Sequence, residues 1–220
     1  MMVDLRLYAI VDPQQAGAHG LPHLARAVVG GGATLVQLRD KLSDTRRLVE
    51  EARAIKTTLE PTGVPLLIND RVDVALAVGA DGVHVGQDDM AVKDARRLLG
   101  SKALIGLSIK TIAQAEAAPT DLVDYVGIGG VFATISKDNP DPPIGIYGLA
   151  RIAGVFRQRA PKLPLVAIAG IDASNAKDVI DAGADGIAVI SALSLQTDPA
   201  AAARKLRSIV DAAIAKRGRA

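Results

Sequence analysis

Eight short apolar runs recur along this chain, each of strand length. They are Leu5–Val11, Thr34–Leu38, Pro65–Ile68, Gly82–Val85, Ala103–Leu107, Tyr125–Ile128, Leu165–Ile168 and Gly186–Ile190. Between them the apolar residues fall at helical spacing. In Ser43–Leu59 they stand at Leu48, Val49, Ala52, Ile55 and Leu59, one stripe of a helix that Ser43 or Asp44 can cap. The strand entries also resemble one another. Gly-Ala-Asp-Gly occurs at 79–82 and 183–186, and Gly-Gly-Ala-Thr at 31–34 is a looser version. The leading Gly can end a helix in a left-handed conformation, and the small residues turn the chain into the next strand. This is a repeated βα unit. Eight such units close into a (β/α)8 TIM barrel of the α/β class, expected here as a single domain over residues 1–220. An open doubly wound sheet would want a Gly-rich dinucleotide fingerprint after the first strand. Val11-Asp12-Pro13-Gln14-Gln15 lacks one.

Two further helix starts are written plainly. Thr111-Ile112-Ala113-Gln114 reads as a capping box, and Asp198-Pro199 as an N-cap followed by Pro in the first turn. The long connection Gly129–Tyr147, rich in Gly, Pro and polar residues, is the kind of loop that carries function. Aromatic residues make up only 2% of the chain against 49% hydrophobic. The core must therefore be aliphatic, as in strands buried on both faces, and no stacking platform for nucleic acid is available. The formal charge is +2, and the basic residues are spread along the helical stretches apart from Lys216-Arg217-Gly218-Arg219 at the end. With no Cys and no bilayer-length apolar stretch, the expectation is a cytoplasmic protein without nucleic-acid or membrane partners. Oligomeric state is left open.

In a barrel the chemistry gathers at the C-terminal ends of the strands. The second strand ends in Gln37-Leu38-Arg39-Asp40-Lys41. Alternation places Gln37, Arg39 and Lys41 on one side, and two cations with an amide suit a diphosphate. The bland reading is a solvated loop leading into the next helix. The third and fourth strands deliver Asp70 and Asp89, each just past a strand end. Two carboxylates there suit a shared hard cation such as Mg2+, which completes its shell with water and substrate phosphate. Against this, Asp70 could cap a helix over 71–78, and either Asp88 or Asp89 could cap one over 90–99. His84, mid-strand between two valines, reads as a satisfied structural residue.

Ser108 follows the fifth strand and could donate to a phosphate or serve a turn. Thr134, Ser136 and Lys137 on the long loop fit an anion clamp. After the seventh and eighth strands, Gly170 allows close backbone approach and Ser191 adds donors, where barrels often bind a monophosphate. Two anionic ligands facing each other across one mouth is the simplest account.

The ordered set Gln37-Leu38-Arg39-Asp40-Lys41, Asn69-Asp70-Arg71-Val72-Asp73, Gly82-Val83-His84-Val85-Gly86-Gln87-Asp88-Asp89, Gly106-Leu107-Ser108, Gly130 to Lys137 and Gly183 to Ser191 resembles the thiamine phosphate synthase family over nearly the whole chain. The resemblance implies a Mg2+-dependent transferase of thiamine biosynthesis. Its substrates would be 4-amino-2-methyl-5-hydroxymethylpyrimidine diphosphate and a thiazole monophosphate, with diphosphate released. It implies that Gln37, Leu38, Arg39, Asp40, Lys41, Asn69, Ser108 and Lys137 hold the pyrimidine diphosphate. Asp70 and Asp89 would bind Mg2+, and Thr134, Ile135, Ser136, Gly170, Ile190 and Ser191 the thiazole phosphate. It further implies a dissociative substitution with no acid or base residue, in which Arg39, Lys41 and Lys137 act electrostatically. Three positions depart from the family pattern: Gly130 replaces the usual Pro, Ser136 a Thr, and Ala169 a Gly. A thiazole tautomerase of the same superfamily would be expected to lack the paired acids and parts of the cation set. A non-catalytic phosphate-binding regulatory barrel would bind both ligands and release no diphosphate.

Overall fold

A parallel strand buried on both faces needs partners on either edge and helices outside, and a closed barrel supplies both. The computed structural model describes residues 3–17, 20–134, 136 and 142–218. Its strands are β1 (Leu7–Val11), β2 (Leu35–Leu38), β3 (Leu66–Asn69), β4 (Gly82–Val85), β5 (Leu104–Ile109), β6 (Tyr125–Gly129), β7 (Leu165–Ile168) and β8 (Gly186–Val189). They pair in parallel in chain order, and β8 returns to β1 to close the ring. Around them lie α1 (Leu21–Gly30), α2 (Thr45–Leu59), α3 (Val72–Val78), α4 (Val92–Leu99), α5 (Ile112–Ala117), α6 (Gly145–Arg159), α7 (Ala176–Asp181), α8 (Ser191–Ser194) and α9 (Pro199–Arg217). No helix among the described residues is long and apolar enough to cross a membrane.

Alternation along the strands divides the core in two. One cluster, which includes Val36, Leu38, Ile68, Val85 and Ile128, packs beneath the helices. The other fills the barrel itself and includes Tyr8, Ile10, Leu35, Leu67, Tyr125 and Val166. Gly106 makes room for it, since a Cβ there would lie 2.1 Å from Tyr125 Cζ.

Four hydrogen-bonded brackets hold the base of the barrel. The residue just before each even-numbered strand accepts, through its side chain, a backbone N–H from the start of the preceding odd strand. Thr34 takes Leu7 N at 3.2 Å, Asp81 takes Leu66 N at 2.8 Å, Asp124 takes Ile105 N at 2.8 Å, and Asp185 takes Leu165 N at 2.9 Å. In each case the backbone N–H of the bracketing residue returns to the carbonyl of the same partner, at 2.7–2.9 Å. The Asp of the Gly-Ala-Asp-Gly signature is thus a strand tie as well as part of a turn. These ties satisfy buried donors that would otherwise lack a partner.

Helix starts follow the expected chemistry. Asp44, rather than Ser43, caps α2, accepting Arg47 N at 3.0 Å. The Thr111–Gln114 capping box is present on α5, and Asp198 caps α9 with Pro199 in the first turn. One boundary differs in a way that matters. β5 continues to Ile109, so Ser108 stands inside the strand and faces the barrel interior.

Candidate active site

The floor of the mouth is a chain of hydrogen bonds among side chains from five strands. Gln37 Nε2 on β2 donates to the Tyr8 hydroxyl on β1 at 2.5 Å, and Tyr8 and Tyr125 on β6 share a bond of 2.9 Å. His84 on β4 bonds Tyr125 through Nδ1 and Ser108 on β5 through Nε2, both at 2.9 Å. Burial pushes both tyrosine hydroxyls well above their usual range. They are neutral hydrogen-bonding groups here. His84 is satisfied as a structural residue, yet it lines the same cleft as Gln37, Arg39, Asn69 and Ser108. The two tyrosines were not anticipated from sequence. Their signal is that the chain has only three Tyr and two Phe, and two of those tyrosines sit in strands of an otherwise aliphatic barrel, where a hydroxyl needs a partner.

Above this floor the β2 end places its residues in different roles. Leu38 is buried in the outer core, so only its backbone can face a ligand. Asp40 is a turn residue, its Oδ1 accepting Leu42 N at 2.9 Å and Ser43 N at 3.0 Å. Arg39 and Lys41 reach the mouth and are each matched by an acid. Arg39 Nη1 meets Asp12 Oδ2 at 2.5 Å, and Lys41 Nζ meets the Asp70 carboxylate.

The capping alternative for the two acids does not hold. α3 has Arg71 as its N-cap and α4 has Ala91, and neither helix receives a side-chain cap. Asp70 instead takes a left-handed φ of 61°, a conformation Asp tolerates better than most residues. Its backbone N–H donates to His84 O at 2.8 Å, tying the turn to β4. Asp89 Oδ2 accepts Gly86 N at 2.7 Å, which folds the β4 loop back toward Asp70. Burial and the Asp89 carboxylate together push the Asp70 carboxyl above its ordinary range, against the opposing pull of Lys41. Two crowded acids with an ammonium already resting on one of them are the donor set a hard cation would relieve. No third His, Asp or Glu joins them in a ligand cluster among the described residues, so such an ion would complete its shell with water and phosphate oxygens.

Across the mouth a second small pocket lies between the ends of β6, β7 and β8. Thr134, Ser136, Gly170, Ile190 and Ser191 line it. Among the described residues the buried Ser136 Oγ has no hydrogen-bond partner, a polar atom facing a space that wants one. Gly170 has φ 64°, and a Cβ there would lie 2.4 Å from Ala133 O. Ser191 opens α8. Ala169, the departure from Gly, is held at φ 86°. Ile135 and Lys137 lie outside the described residues.

Comparison with known proteins identifies the family. The family model described as thiamine monophosphate synthase matches residues 7–193. Thiamine-phosphate synthase of Agrobacterium fabrum is 53% identical over 98% of this chain and 98% of its own length. That of Chloroflexus aurantiacus is 49% identical over 95% and 94%. The solved structure of thiamine phosphate pyrophosphorylase from Pyrococcus furiosus superposes with a TM-score of 0.83 at 35% identity, covering 96% of this chain and 98% of that one. The chain belongs to the thiamine monophosphate synthase family.

Proposed function

We propose that this chain is a thiamine-phosphate synthase, a transferase that joins a pyrimidine methylene carbon to the ring nitrogen of a thiazole monophosphate. The observation that carries the reading is the pairing of Asp70 and Asp89. Both acids leave their helices uncapped and converge beside Lys41, opposite the pocket of Ser136 and Gly170.

Arg39, Lys41 and Lys137 would grip the diphosphate of the pyrimidine substrate, with Asn69 and Ser108 beneath it. Asp70 and Asp89 would hold Mg2+, whose chemistry when bound is to neutralise charge on the departing diphosphate. The methylene C–O bond breaks with its electron pair leaving on the diphosphate, and the aminopyrimidine spreads the positive charge that remains. The thiazole nitrogen then donates its lone pair to the methylene carbon. Thr134, Ile135, Ser136, Gly170, Ile190 and Ser191 would hold the thiazole phosphate so that this nitrogen stays in line. No proton is abstracted from carbon, so no side-chain base is required. The burden falls on charge stabilisation and orientation. The buried Tyr8–Tyr125–His84 floor, with both tyrosines neutral, fits that division, since it holds Gln37 and Ser108 in place.

The test combines purified protein, both phosphorylated precursors and Mg2+, and follows thiamine monophosphate and diphosphate together. One diphosphate should appear per thiamine phosphate, and EDTA should stop both. Turnover undiminished in EDTA would remove the metal from the reading. Ligand binding without diphosphate release would turn it toward a regulatory barrel.

A further inference from the structure

We propose that Asp12 is a positioning residue for Arg39, holding one edge of its guanidinium so that the other edge faces the diphosphate. The proposal rests on the placement of Arg39 in the diphosphate grip. Asp12 follows β1 and is 0% exposed, while the Arg39 side chain keeps 17% exposure at the mouth. A fully buried carboxylate must earn its place through partners.

The two oxygens of Asp12 have separate tasks. Oδ1 accepts Gln14 N at 2.9 Å and shapes the turn after β1. Oδ2 accepts from Arg39 Nη1 at 2.5 Å. Among the described residues, Nε and Nη2 of Arg39 make no hydrogen bond, so the fork is engaged on one side only. The Arg39 backbone is tied to the same strand end, its N–H donating to Val11 O at 2.9 Å. Backbone and side chain of Arg39 are thus both referenced to β1, and the remaining N–H groups are presented in a fixed direction. A planar fork can serve two anions at once, and a lysine ammonium cannot do so with the same geometry. This differs from Lys41, whose partner Asp70 is itself a candidate metal ligand. Asp12 lies outside the cleft lining, and among the described residues Arg39 is the one cation it pairs with.

The split between the oxygens makes a clean test. Asp12→Asn keeps Oδ1 for Gln14 but turns an N–H toward Arg39. Binding of inorganic diphosphate with Mg2+ should weaken by about 10- to 100-fold, the range that outer-shell partners command. The KM for the pyrimidine diphosphate should rise with it, while the KM for the thiazole phosphate stays put. Arg39→Lys should bind diphosphate no better than Arg39→Ala, because Asp12 keeps the single ammonium. Asp12→Asn added to Arg39→Lys should then recover part of the lost binding. A purely structural Asp12 never improves that variant, so absence of any recovery overturns the proposal. So does an unchanged diphosphate affinity in Asp12→Asn. Should Asp12→Asn alone not fold, equal binding by Arg39→Lys and wild type overturns the proposal just as well. If Arg39→Ala itself binds diphosphate normally, the diphosphate grip fails, a result distinct from either.

Discussion

Asp70→Asn separates the demands of chemistry from those of folding. In the ion-free protein the Asp70 carboxyl is pushed up by burial and by Asp89, more than Lys41 pulls it down. A carboxyl raised in the folded state is a net cost above that raised value, and the cost vanishes once pH falls below the unfolded value near 3.8. Replacing the charge with an amide removes that cost and forfeits the Lys41 contact. The Lys41 side chain is 48% exposed. Such a pair contributes about 0–1 kcal/mol. Asn also accepts the left-handed backbone. The variant should therefore be more stable at neutral pH by about 1 kcal/mol, a size common when a functional site is relaxed. For a chain of this length that is about 2–4 °C in Tm. The advantage should shrink as pH falls toward 4. Mg2+ should reverse the order. At a concentration of about 100 times its Kd, the ion would stabilise the wild type by about 2.7 kcal/mol. That is a shift of about 5–11 °C, which the variant should lack along with activity. Thermal melts at two pH values, with and without Mg2+ and diphosphate, read all of this. An Asn variant that melts lower at neutral pH, or that keeps the full Mg2+ shift, would refute the reasoning.

Asp124→Ala should strip Ile105 N–H of its acceptor and Arg96 of an ion partner. Ile105 is fully buried, so a loss of about 2–3 kcal/mol is expected, seen as a lower urea midpoint with an unchanged m value. Gly170→Ala should drive a Cβ to within 2.4 Å of Ala133 O at a left-handed φ. It should cost about 1–3 kcal/mol and raise the KM for the thiazole phosphate while that for the pyrimidine diphosphate holds, as steady-state kinetics with each substrate varied would show.

The fold was legible because its signals are local and periodic. Apolar strand runs, helical stripes and the caps at Thr111 and Asp198 each depend on neighbours a few residues away. The two acids were legible as a pair, but not the fact that neither caps its helix. That outcome turns on one torsion, the φ of Asp70, and on a bond from Gly86 to Asp89, neither of which composition encodes. The floor network was not legible, because Tyr8, Tyr125, His84 and Ser108 meet only through barrel closure, across separations of up to 117 residues. Asp12 was hidden for a related reason. In Val11-Asp12-Pro13-Gln14 it looks like a turn former, and through Oδ1 it is one. Its second oxygen serves a residue of the next strand.

The four brackets at the base have a consequence of their own. Each clasps one pair of neighbouring staves, so the ring is assembled from four like joints, and damage to one leaves three to keep the circle shut. The opposite rim has no such redundancy. There Asp70, Lys41 and Gly170 each hold a different place and none repeats another, so wear at the end where the barrel is held together is shared among like joints, while at the working end each loss falls on a single part.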